Sequence, residues 1–371
     1  MAGETGAQLG SQRASHPYHM HDAIREQPDR IAQWLRTERE GAERAADAAA
    51  SRKRLVLVGI GTSFHAAQVG EHFVRHLTGG RERALAEQSF ELVHYPVGLT
   101  SEDALIAISH RGWKNYSVQA LQAARAAGAL TIVVTGHEPG VGMTVADFVI
   151  PTCEQEISSA HTKSYTTALV ALAALAVRLA ERRGLLNDVA AAHAALKRIS
   201  ELMRRALACE SHSREVAREI AARQRWVFVG AGPNWATARE GALKVQETSY
   251  MASESFEIEQ FLHGPLAEMD SRAALVALFT GGPGDDRARS LLRAAGELGV
   301  LRVAVAAEGV GEVSGEHRIE VPAIEEWLSP FVQVIPVQFL SYYVALERGA
   351  NPDTAREDQP AHARAHGHYK L

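Results

Sequence analysis

Leu55-Val-Leu-Val-Gly59-Ile-Gly61-Thr-Ser63 is a four-residue apolar run followed by two glycines and two hydroxyls. It reads as a buried strand, a tight turn and a helix starting at Phe64. Trp226-Val-Phe-Val-Gly230-Ala-Gly232 repeats the pattern. Ala274-Leu-Val-Ala-Leu278 likewise echoes Ala104-Leu-Ile-Ala-Ile108, and Glu320-Val-Pro322 echoes Val149-Ile-Pro151, all at an offset of roughly 170 residues. Three landmarks at one offset imply a duplicated domain.

Between these landmarks strands alternate with helices. Ala104 to Ser109 reads as a strand, His110-Arg-Gly-Trp113 as a turn, Asn115 to Ala127 as a helix, and Leu130 to Thr135 and Phe148 to Pro151 as strands. The alternation predicts an α/β fold with two tandem doubly wound parallel sheets, each covered by helices on both faces. Ser164 to Arg182 should close the first copy and Leu328 to Glu347 the second. The expected division is 1–50 for an N-terminal segment and helix, 51–185 for the first domain, 186–223 for connecting helices, 224–349 for the second domain and 350–371 for a tail. Within the first part, His16 to Pro28 reads as a short amphipathic segment ending at the proline. Asp29 then caps a helix from Arg30 to about Ala50.

The 371 residues suffice for two buried cores, and 46% apolar with 22% charged residues is ordinary for a globular chain. A net charge of -5 supplies no basic surface for nucleic acid or an anionic membrane. Neither partner is expected. The most apolar helix candidate, Thr166 to Ala180, is interrupted at Arg178 and reads as too short to span a bilayer. Cys153 and Cys209 are the two cysteines; they show no CxxC spacing and fit a reducing cytoplasm. Met1 to Ser15 lacks the apolar core of a signal peptide.

The chemistry is expected on Glu240-Gly-Ala-Leu-Lys-Val-Gln-Glu-Thr-Ser-Tyr250, a helical run whose spacing puts Glu240, Lys244, Glu247 and Met251 on one face. Two carboxylates flanking an amine can have their pKa values driven apart, so that one takes and returns a proton. A solvated i,i+4 pair is the bland alternative. Four further stretches fall at carboxyl ends of expected strands, where open parallel sheets place ligands: Gly61-Thr-Ser63, Ser109-His-Arg-Gly-Trp-Lys114, Ser159-Ala-His-Thr-Lys163 and Gly232-Pro-Asn234. Their helix-start N–H groups and hydroxyls suit a small anion, with charge added by Arg111 and Lys114. A dinucleotide is disfavoured, because Gly59-Ile-Gly61 lacks the third glycine of GxGxxG. No organic cofactor is expected. Clusters at His16, His19 and His21 and at His362, His366 and His368 match no metal-ligand spacing, so no metal is expected either.

Together these residues resemble the sugar isomerase (SIS) family, and within it the isomerase half of the glucosamine-6-phosphate synthases. The resemblance spans roughly residues 16 to 356. It is carried by Glu240-Gly-Ala-Leu-Lys244-x-x-Glu247-x-Ser-Tyr250 and Glu259-x-x-x-His263-Gly-Pro-Leu266. His19-Met20-x-x-x-Ile24-x-Glu26-Gln27-Pro28, Gly61-Thr-Ser63, Thr162-Lys163 and Asn351-Pro-Asp353 support it. The resemblance implies that Glu247 moves a proton between C1 and C2 of a phosphorylated hexose, and that Lys244 and His263 assist ring opening. It further implies that His263 comes from the second subunit of a homodimer, and that Ser63 and Ser109 hold the phosphate. Thr62, His110, Arg111, Lys114, Lys163 and Glu240 complete the expected substrate-binding set.

The departures are informative. The family's Ser-Gln-Ser-Gly-Glu-Thr is here Ser109-His110-Arg111-Gly112-Trp113-Lys114, which exchanges hydroxyls for cations. The family's tail lysine has no counterpart after Arg356; His362 or Arg364 could stand in. No glutamine-hydrolysing domain is expected ahead of the repeat. The expectation is therefore isomerisation, or deamination or amination of an amino-sugar phosphate, by enediol-type proton transfer. A deglycase of glycated amines and a non-catalytic sugar-phosphate-binding regulator remain as alternatives.

Overall fold

The computed structural model describes residues 13–369. The first sheet is laid down by α1 (His19–Thr37), α2 (Arg39–Ala49), β1 (Arg54–Gly59), α3 (Thr62–Leu77), β2 (Arg83–Gln88), α4 (Ser89–His94), β3 (Asp103–Ser109), α5 (Asn115–Ala126), β4 (Leu130–Thr135), β5 (Phe148–Pro151) and α6 (Lys163–Arg182). Two helices, α7 (Val189–Ala206) and α8 (Glu210–Ile220), lead to the second. It is built from β6 (Arg225–Gly230), α9 (Pro233–Ser249), β7 (Ser253–Glu257), α10 (Ile258–Leu262), β8 (Ala273–Phe279), α11 (Asp285–Glu297), β9 (Leu301–Ala307), β10 (His317–Val321) and α12 (Pro330–Glu347). The short α13 (Pro360–His366) lies in the tail.

Both sheets are five-stranded and parallel, in the orders β2-β1-β3-β4-β5 and β7-β6-β8-β9-β10. The expected duplication is therefore present strand for strand. The glycine turns match in backbone detail: Gly61 has φ 56° and ψ -128°, and Gly232 has φ 54° and ψ -131°. That left-handed conformation favours glycine. Gly59 and Gly230 are constrained by close approach, since a Cβ would fall 2.4 Å from the Ser63 carbonyl and 2.2 Å from that of Asn234. Strands β3, β4 and β8 are buried at every residue, as a sheet covered on both faces requires.

Two expectations need correction. The N-terminal helix does not start after Pro28: α1 runs through it, and a second helix follows at Arg39. Proline removes the N–H that would bond the Ile24 carbonyl, and the Gln27 side-chain amide donates to that carbonyl at 2.9 Å instead. The Asp353 carboxylate supplies the missing cap, accepting from the backbone N–H of His19 (2.8 Å) and Met20 (2.9 Å). The stretch read as interrupted at Arg178 and too short to span a bilayer lies within α6, which runs through Arg178 for 20 residues. Helix α6 and the segment Glu326–Glu347 are long and apolar enough to cross a membrane by composition, and both are packed inside the fold. That packing accounts for their apolarity.

Candidate active site

Helix α9 crosses close to the core because Gly241 lets it. A Cβ there would lie 2.7 Å from Val337 and 2.8 Å from the Phe228 ring. The opposite side of α9 faces α3 of the first repeat and presents Glu240, Lys244 and Glu247 together, as the spacing predicted; Met251, expected on the same face, falls outside the helix, which ends at Ser249 and turns through the left-handed Tyr250. Lys244 is fully buried. Its ammonium donates to Glu247, lies 3.3 Å from Glu240 Oε1 and donates to Thr62 Oγ1 at 3.2 Å. Thr62 in turn donates to Glu240 Oε1 at 3.1 Å, and His65 Nδ1 pairs with Glu240 Oε2 at 2.7 Å. The cluster is thus made by both repeats.

The electrostatics separate the two carboxylates. Burial alone would raise Glu240, but Lys244, His65 and Thr62 outweigh it and hold that carboxyl below its ordinary value. Burial pushes Glu247 up; Lys244 opposes the rise, Glu240 adds to it and Lys114 opposes it. Burial would lower Lys244, yet the two carboxylates hold its ammonium above the usual lysine value. Glu240 is therefore a fixed anion, Lys244 a fixed cation and Glu247 a group able to hold a proton nearer neutrality. Glu247 is half-buried, with 27% of its side chain exposed.

The 109–114 turn forms the facing wall. Ser109 ends β3 at 1% exposure, and its hydroxyl has no hydrogen-bond partner among the described residues. Gly112 adopts φ 72°, and a Cβ there would strike the Gly140 amide at 2.8 Å. Arg111 stacks over Trp113 at 5.8 Å. Burial pulls the Lys114 ammonium below its ordinary value, partly countered by Glu247. Among the described residues, neither Arg111 nor Lys114 forms an ion pair within 4 Å. Two cations without carboxylate partners beside a proton-holding acid suit an anionic substrate.

Other expected residues stand elsewhere. Ser63 lies with Thr62 at the start of α3. Lys163 pairs with Glu26 at 2.7 Å and with Glu154, at the edge of this cluster. His263, at the end of α10, is 71% exposed and bonds Glu259 at 2.9 Å; it makes no bond to Glu240, Lys244 or Glu247. His362 and Arg364 are on α13, and Tyr250 binds the tail through the Asn351 carbonyl (3.1 Å) and the Arg356 N–H (3.1 Å). Sequence reasoning missed His65 and Tyr165, and reached His161 only as part of the Ser159–Lys163 stretch. The first pairs with a residue 175 positions away, a distance that no local spacing reveals. Among the described residues, no group of three or more His, Cys, Asp or Glu side chains is arranged to hold a metal.

The SIS domain pattern matches residues 49–178 and 219–348. The chain belongs to the SIS domain family. Among curated relatives, the glutamine-fructose-6-phosphate aminotransferase (isomerizing) of Thermococcus kodakarensis is 30% identical over 351 residues, covering 93% of this chain and 58% of that protein. The chain thus spans rather more than half the length of such relatives. Among solved structures, the C-terminal domain of glucosamine-fructose-6-phosphate aminotransferase from Francisella tularensis superposes with a TM-score of 0.82 at 22% identity, covering 91% of this chain and 99% of that one. Glucosamine-6-phosphate deaminase from Thermotoga maritima gives 0.72 at 21% identity, covering 91% and 97%. At such identities these two likenesses establish the SIS fold alone.

Proposed function

We propose that this SIS protein is an enzyme acting on a hexose phosphate or amino-sugar phosphate, by aldose-ketose isomerisation or by deamination or amination of that sugar. Glu247 moves the proton between C1 and C2. Lys244, anchored by Glu240, keeps the base in place and stabilises negative charge developing on the sugar oxygen. Arg111 and Lys114, with the Ser63 and Ser109 hydroxyls, take the phosphate. His263 reaches the substrate from a second copy of the chain, in keeping with its exposure and its separation from Glu247 in this one. The observation that carries the reading is the raised carboxyl of Glu247 pressed against Lys244 and facing Lys114. A pure binding site has no need of a carboxyl held ready to accept a proton.

The test is Glu247→Gln. C2-proton exchange with solvent and ammonia release are followed over a panel of hexose 6-phosphates and amino-sugar 6-phosphates. Turnover should fall by about two to four orders of magnitude while sugar affinity is kept. Exchange without ammonia marks an isomerase, and ammonia marks a deaminase. Wild-type protein that binds a phosphosugar yet exchanges no C2 proton refutes the enzymatic reading.

A further inference from the structure

Behind the 109–114 turn lies a small, partly open cavity of about 20 Å3, lined by Thr62, Ser63, His110, His161, Ser164 and Tyr165 among others. Two polar groups here are at least nine-tenths buried and have no partner among the described residues: His110 Nδ1 and the Tyr165 hydroxyl. Each is a donor in search of an acceptor. For His110 the tautomer follows from its other nitrogen, because Nε2 accepts the Glu156 backbone N–H at 3.3 Å, leaving the proton on Nδ1. Leaving such buried groups unsatisfied is costly, so the arrangement is explained by something that accepts. The volume fits a single oxygen, either water or one atom of a larger group entering from the cleft.

His161 stands at that entrance. Its ring meets His110 edge-on with centroids 5.1 Å apart, and neither of its nitrogens makes a hydrogen bond among the described residues. We propose that His110, His161 and Tyr165 form the inner receptor for an oxygen of the substrate's anionic group, and that the imidazole pair takes up one proton as the anion enters. The proposal rests on the reading of this cleft as a phosphosugar site and adds residues and a proton linkage to it.

The charges around the pair explain why the proton arrives only with the anion. His110 is faced by Glu154 and Glu156 from the β5–α6 connection, by Arg111 on its own turn, by Lys163 on α6 and by His161. His161 is faced by His110, Arg111, Lys114 and Lys244. Burial holds His110 down to about 4, with Arg111 and Lys163 adding to the effect against the two glutamates. Burial and the surrounding cations hold His161 well below its ordinary value. A dianion placed among these groups reverses the sign of the local field. One imidazole then charges, and the second stays neutral because two cations this close repel.

Sulfate is the probe, since it remains a dianion throughout the neutral range. Calorimetric titration of the full chain in buffers of different ionisation enthalpy should show proton uptake on sulfate binding. Affinity should rise by up to about tenfold per unit fall in pH between about pH 8 and about pH 6. His161→Gln and His110→Gln should flatten that slope, and Tyr165→Phe should weaken binding by about tenfold or more without changing it. Because Lys114 and Glu247 also titrate in the cleft, nitrogen-15 NMR of histidine-labelled wild-type protein assigns the proton, and it serves even if a variant fails to fold. One imidazole should pass from the neutral to the doubly protonated signature when sulfate is added. Sulfate binding that is independent of pH, imidazoles that stay neutral at saturation, or no binding of sulfate at all would each overturn the proposal. Failures are separable. Turnover lost in Glu247→Gln together with pH-independent sulfate binding removes only the proton linkage, whereas proton-coupled sulfate binding in a chain inert toward every phosphosugar removes only the enzymatic reading.

Discussion

Replacing Lys244 by methionine keeps the length of a fully buried side chain while deleting its charge. The ammonium touches Glu247, Glu240 and Thr62, so its loss leaves two carboxylates on one helix face with no cation between them. Breaking a buried pair by removing one partner costs about 3–5 kcal/mol, a large share of the roughly 5–15 kcal/mol that holds a domain together. The melting temperature should drop by on the order of 10 °C. The sign of the pH dependence is a sharper test. Without Lys244 the two buried carboxylates face each other with only His65 and Thr62 left to Glu240 and Lys114 left to Glu247, so their folded-state values rise relative to wild type, Glu247 furthest above the unfolded value near ~4.3. A group raised in the folded state contributes stability below the unfolded value and loses it as pH climbs through the folded one. The deficit of Lys244→Met relative to wild type should therefore be small near pH 4.5 and grow toward pH 8. Lys244→Met/Glu240→Gln should recover part of it at neutral pH. Thermal melts by circular dichroism across that range are the assay. A variant melting within about 2 °C of wild type at neutral pH, or a deficit that does not shrink on acidification, refutes the buried-triad account.

Glu210 accepts from Tyr343 at 2.6 Å, pairs with His21 at 2.7 Å and meets Arg25; burial would raise it, but these partners pull it down to about 2. Its contribution of up to ~3 kcal/mol should be present above the unfolded value near ~4.3 and be lost as pH falls toward 2, a loss absent from acid titrations of Glu210→Gln. Asp353→Ala uncaps α1 and also perturbs the backbone whose carbonyl accepts the Ser159 N–H at 2.9 Å. It should cost about 1–2 kcal/mol in urea unfolding and raise amide exchange at His19 and Met20. Gly230→Ala would place a methyl 2.2 Å from the Asn234 carbonyl. A loss of about 2–4 kcal/mol is expected, and a neutral result would show that the β6–α9 turn can relax.

The duplicated frame is legible in the sequence because Leu55–Val58 and Trp226–Val229 are apolar runs closed by glycines whose conformation few other residues adopt. The edge strand β2 is not legible. Its residues Arg-Ala-Leu-Ala-Glu-Gln are exposed or half-buried, with neither alternation nor a continuous apolar run. The course of α1 is equally hidden, since the Gln27 side chain answers the carbonyl left open at Pro28 and the helix start is capped by an aspartate more than 300 residues away. At the site, the face of α9 follows from helical spacing alone. The pairing of Glu240 with His65 and the meeting of His110 with His161 depend on how loops and repeats pack, and a linear pattern does not encode that.

The repeat also explains why the charged cluster forms once per chain. At the 171-residue offset that carries Gly61 onto Gly232, Glu240 corresponds to Val69, Lys244 to Phe73 and Glu247 to His76. On α3 this face therefore carries no carboxylate or lysine and packs through rings, with Phe73 edge-on against Trp327 at 5.7 Å and stacked on Phe331 at 6.3 Å, and His76 stacked on Trp327. Its counterpart on α9 carries a triad that the first repeat alone can complete, through Thr62 and His65. The loops diverge in the same sense. Ser109, with its unpartnered hydroxyl, corresponds to Phe279 at the end of β8, and next to it Thr280 donates to Glu326 at 3.3 Å. A carboxylate already occupies the position by Thr280, so an incoming anion would meet like charge there, whereas at the first repeat it meets Arg111 and Lys114. Under the function proposed above, two copies of one backbone divide the labour: the first supplies the loops for the anion and the second supplies the helix for the proton.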